Sequence, residues 1–128
     1  MPELAFRDGV MDRIRLRESR YDEQAYLFVL AGLEYSQEKL EARRHISAVE
    51  LARACRDLAL ERYGVMSRIV LERWGVRATS DIGEIVFTLV ELGFLVKQPN
   101  DTREEFAGVY EFERAFDSEY PWDGARSA

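Results

Sequence analysis

Few side chains in this 128-residue chain carry chemistry near neutral pH: it has one histidine, His45, and one cysteine, Cys55. Histidine is the residue type suited to proton transfer near neutral pH, so any general acid–base chemistry would centre on His45, with a nucleophile in reach. Cys55 falls two turns into the following helix on its apolar side, where a thiol serves as a small hydrophobe. One cysteine also excludes the multi-cysteine zinc patterns. Arg43 and Arg44 precede His45 at an expected helix end, where cations complement the helix dipole. The next helix starts at Ala48, and its free amides attract negative charge. Arg43, Arg44 and His45 are therefore the candidate anion-binding site. The acidic pairs Glu104-Glu105 and Glu111 with Glu113 have no histidine or patterned loop beside them and read as solvated surface. Asp101 to Glu105 lacks the glycine and ligand spacing of a calcium loop. No catalytic constellation, metal site or cofactor is expected.

The second chemical feature is acidic and aromatic. Residues 1–80 hold 14 basic against 13 acidic residues, whereas 81–128 hold 4 against 11, within a net charge of −6. Between Asp101 and Asp123, eight acids alternate with Phe106, Tyr110, Phe112, Phe116, Tyr120 and Trp122. Six aromatic rings need somewhere to go. They can wrap the domain, with the acids meeting Arg13, Arg15, Arg17 and Arg20. Alternatively, some anchor in a partner while the acids steer it to a basic surface. Phe116, Tyr120, Trp122, Glu84 and Glu91 are the candidate partner-binding residues.

The elements that position these groups follow from spacing. A first helix is expected over Leu4–Arg17, with Gly9 as its weak point. Asp22 caps a longer helix from Glu23 to about Ala42, apolar nearly all round at Phe28 and Val29. Ser47 and Glu50 match a capping box that opens a helix Ala48–Tyr63, and Gly64 ends it. A short helix Met66–Trp74 ends at Gly75. Asp81, in Thr79-Ser80-Asp81, caps Ile82–Leu92, which ends at Gly93. Phe94-Leu95-Val96 reads as a short strand, Gln98-Pro99-Asn100-Asp101 as a turn, and Val109–Phe112 as a return strand. A helical turn at Thr102–Phe106 is an alternative start to that stretch.

Helices followed by strand, turn and strand have the chain order of a winged helix. The expected fold is therefore mainly α with a small β element: one domain over 1–118, winged-helix-like over 47–113, with a tail at 119–128. The candidate recognition helix, Ile82–Leu92, would direct Asp81, Glu84, Thr88 and Glu91 outward, setting three carboxylates against phosphates and no cation. That argues against nucleic acid as a partner. A nucleic-acid role would have to use Arg43, Arg44 and His45 with Arg53, Arg56, Arg62 and Arg68.

Arg43-Arg44-His45-Ile46-Ser47, Trp74-Gly75, Gly83-Glu84-Ile85-Val86-Phe87, Glu105-Phe106 and Val109-Tyr110-Glu111-Phe112 together resemble a family of small uncharacterised bacterial proteins, over about residues 20–117. The resemblance implies a bacterial cytosolic protein and brings no activity, cofactor or partner. The N-terminal residues carry charge where a signal peptide needs an apolar stretch, and no apolar run approaches the roughly 20 residues of a membrane helix. A cytoplasmic location is expected. The function read from the sequence is a non-catalytic protein–protein interaction module that meets a basic partner surface, with a homo-oligomer left open. The alternatives are a divergent winged-helix regulator of nucleic acid and a small-anion-binding protein around Arg43, Arg44 and His45.

Overall fold

The computed structural model describes residues 20–99 and 101–118. The expected helix Leu4–Arg17 and the tail with Tyr120 and Trp122 lie outside the described residues. Helix α1 spans Glu23–Glu38 and is capped by the Asp22 carboxylate, which accepts from the Gln24 amide at 2.9 Å. It ends short of Ala42. The amides of Lys39 and Leu40 turn back to the carbonyls of Ser36 and Gln37. The Gln37 side chain then clamps the backbone of Arg44, accepting from its N–H and donating to its C=O. Helix α2, Ala48–Tyr63, opens on the expected capping box: Ser47 Oγ accepts from the Glu50 amide at 3.1 Å, and Glu50 Oε1 accepts from the Ser47 amide at 3.0 Å. Each side chain satisfies an amide that has no partner within the helix.

Past Gly64 a tight turn, Gly64–Met66, leads into α3, Ser67–Arg73, and then α4, Thr79–Glu91. Helix α4 begins ahead of the expected Asp81 cap. Asp81 sits inside the first turn and reaches back, its Oδ2 accepting from the amides of Arg77 and Ala78 and its Oδ1 from the Tyr21 hydroxyl at 2.6 Å. Burial and that contact push the Tyr21 phenol far above its ordinary range.

The expected β element is absent among the described residues. Helix α4 ends in a Schellman arrangement: Gly93, at φ +86°, donates to Val90 O, and Phe94 donates to Leu89 O at 2.9 Å. The amides of Phe94 and Leu95 therefore serve the helix end and cannot open a sheet ladder. The expected return strand is committed elsewhere. The Val109 amide donates to Thr79 Oγ1 and the Tyr110 hydroxyl to Ala52 O at 2.9 Å, while Arg103–Phe106 forms a tight helical turn. Without strands there is no wing, and the winged-helix assignment falls with it. A π-helical turn, Glu113–Ser118, ends the described chain.

Two glycines set how closely the layers approach. A Cβ on Gly32 would lie 2.6 Å from Cys55 Sγ, so α1 and α2 cross in near backbone contact. A Cβ on Gly83 would lie 2.8 Å from Phe106 Cβ, which seats the 103–106 turn on α4. Thr79, fully buried, donates to Phe106 O and locks that turn from the other side. Ile82, Ile85 and Leu89 face the core formed by Tyr26, Val29, Ala52 and Cys55. Tyr110, Phe112 and Phe116 form a second aromatic cluster, with ring centroids 5.1–6.1 Å apart.

Candidate functional site

Helix α4 carries more apolar surface than the core covers. Ile82, Ile85 and Leu89 are buried, but Val86, Phe87 and Val90, further round the same helix, are only half-buried. A stripe that wide needs a second cover. Leu33 of α1, Ile46, Ala48 and Leu51 at the start of α2, and Phe94 and Leu95 after α4 supply it incompletely. They leave a cleft of about 290 Å³ between the helices and the 94–106 segment. That lies at the lower end of the roughly 300–1,000 Å³ typical of small-molecule sites. Three stretches singled out in the sequence, 43–47, 83–87 and 105–106, meet at this cleft.

Its rim is polar, and most of the rim is already engaged. His45 Nε2 stands 3.1 Å from Asp101 Oδ2, which also accepts from the Gln98 amide at 2.7 Å. Glu105 Oε1 accepts from the Thr102 amide at 2.7 Å. Arg44 forks onto Glu50, at 2.6 and 3.1 Å, and donates to His45 O at 2.8 Å. This guanidinium and the Ser47 amide hold the Glu50 carboxyl down at about 2. Lys97 differs: its ammonium has one long contact, 3.4 Å, to the carbonyl of the adjacent Gln98. It is a cation at an apolar mouth with no carboxylate beside it among the described residues.

The sequence-derived site residues have varied fates. Arg43 turns away from the cleft to Glu34, 2.8 Å distant, and is 70% exposed. The Arg43-Arg44-His45 trio therefore does not converge on an anion, because each member holds a group of the protein itself. Glu91 lies 3.0 Å from Arg103, and Glu84 faces both Arg103 and Arg20 at about 4 Å, so neither acid projects alone. Phe116, expected as a partner anchor, is 2% exposed inside the aromatic cluster. Cys55 is buried and its thiol is pushed up to about 12, leaving it unreactive. Of the six arginines a nucleic-acid role would use, Arg43, Arg44, Arg56 and Arg68 each hold a carboxylate. A second, mainly polar depression near Arg56, Tyr110 and Arg114 has no apolar floor of comparable extent. Among the described residues no three potential ligands gather to hold a metal ion, and no helix is long and apolar enough to cross a membrane.

Sequence reasoning did not single out Lys97 or the Val86–Phe87–Val90 flank as a binding site. The available signal was the width of the apolar stripe on α4, which exceeds what one packing face requires. The chain matches no protein-family model, no curated protein and no solved structure.

Proposed function

We propose that this protein binds a small molecule with an apolar body and a single acidic head group in the cleft between α1, α2, α4 and the 94–106 segment. The observation that carries the reading is the pairing of a half-covered apolar wall, Val86, Phe87 and Val90, with the Lys97 ammonium at its mouth, which meets no carboxylate among the described residues. Burying the body would displace water from apolar surface, and the head group would accept from Lys97. The Asp101 and Glu105 carboxylates accept from the Gln98 and Thr102 amides, and neither pairs with that ammonium. The role is binding, with no chemistry assigned to His45.

Displacement of the fluorescent dye anilinonaphthalene sulfonate by decanoate tests the reading. Decanoate is expected to displace the dye, and decanol to do so more weakly. Lys97→Gln should weaken decanoate by about tenfold, as loss of a charge-assisted hydrogen bond would. Val86→Trp fills the cleft and should abolish dye binding while unfolding stays cooperative. Equal dye binding by the wild type and Val86→Trp would overturn the proposal.

A further inference from the structure

Large apolar side chains stand together in solvent at the tight turn after α2 and on the outer side of α3. Val65 is 58% exposed, Met66 48% and Ile69 54%. Val65 and Met66 precede Ile69 by four and three positions, and Glu72 and Arg73 follow it by three and four. These spacings set neighbours along one side of a helical path. The end of α2, with Glu61 and Arg62, comes just before Val65. The ridge therefore has an apolar centre with one acid and one cation at each end.

The charges at those ends are open to a partner. Glu61, Arg62 and Arg73 are exposed, and none pairs with an opposite charge among the described residues. Glu72 stands 3.5 Å from Arg68, which has a closer carboxylate in Asp117 at 2.6 Å. A partner of one charge sign would meet repulsion at each end. A second copy of the same ridge would not. Turned antiparallel, it sets its Glu72–Arg73 end against the Glu61–Arg62 end of the first, so opposite charges can match. A two-fold axis makes every such contact twice.

We infer that this ridge is a contact between two copies of the chain, packed antiparallel across a two-fold axis, with Val65 of each copy against Ile69 of the other. In this register Glu61 meets Arg73 of the other copy, and Arg62 meets its Glu72. Three half-exposed side chains fall short of the roughly 800 Å² per partner of a stable interface. The pair is therefore transient and forms in concentrated solution, and a single copy keeps the ridge in solvent. None of these residues lines the cleft, so the inference does not rest on the ligand reading.

Sedimentation of the full-length protein over a concentration series, with methyl NMR at each step, tests it. The weight-average mass should climb toward that of a dimer as concentration rises. The Val65, Met66 and Ile69 methyl signals should shift with it, while those of Leu33 and Val86, in the cleft, stay in place. The surface substitution Ile69→Glu should hold the protein monomeric with its unfolding still cooperative. Glu61→Arg and Arg73→Glu should each weaken pairing by about tenfold, because like charges then meet. The two combined should restore it to within about threefold of the wild type. A mass that stays monomeric at every concentration would overturn the inference. So would self-association that survives Ile69→Glu, or a combined variant that pairs no better than either single one.

Discussion

Two regions of this molecule invert what their compositions suggest. The stretch from Arg103 to Asp117 is dense in charge, yet Phe106, Phe112 and Phe116 are almost completely buried. The stretch from Val65 to Ile69 is apolar, yet Val65, Met66 and Ile69 stand in solvent. Spacing relative to the backbone path accounts for both. In the first stretch Glu104, Glu105, Glu111, Glu113 and Asp117 point outward while the rings between them turn in. In the second, Ser67 and Leu71 take the buried side of α3, with Ser67 donating to Ala59 O at 2.9 Å, and the larger apolar residues are left outside. Charge density along a chain does not report exposure; the side on which each residue falls does.

The largest expected effect tests that contrast directly. Phe116→Ala should cost about 3–5 kcal/mol by emptying a packed ring site, whereas Ile69→Ala should stay within about 0.5 kcal/mol, as surface changes do. Urea unfolding of both variants measures the difference, and comparable losses would break the comparison. A middle effect concerns the seat of the buried stretch. Gly83→Ala drives a methyl into the Phe106 side chain, 2.8–2.9 Å away, and should cost about 1–3 kcal/mol. Adding Phe106→Ala should then cost less than the two single losses together, because the clash is gone.

The smallest effect separates charge from ring burial. The Glu50 carboxyl sits near 2 in the folded protein against an ordinary 4.5. Its folded pKa is depressed, so it contributes stability above about 4.5 that is lost as pH falls toward about 2. With the side chain 39% exposed, solvent screens much of the pair. Glu50→Gln should therefore lower stability slightly at neutral pH and flatten its fall across that acidic window, as followed by thermal unfolding at successive pH values.

The sequence by itself determined the helix boundaries set by local hydrogen bonding. Ser47 and Glu50 cap α2, Asp22 caps α1, and Gly64, Gly75 and Gly93 end the helices before them, because each signal acts within a few residues. It also showed which face of α4 is apolar. Tertiary structure decided the rest. Phe94–Val96 has the composition of a strand, but its first amides are taken by the end of α4 and no partner strand lies alongside among the described residues. Arg43 and Arg44 read as an anion site until Glu34 and Glu50, nine and six residues away, come within reach of their guanidiniums. The cleft depends on residues from Leu33 to Phe106, brought together only when α1, α2 and α4 pack. Caps and turns follow from neighbours in sequence, whereas pairing, burial and cavities follow from contacts between residues far apart along the chain.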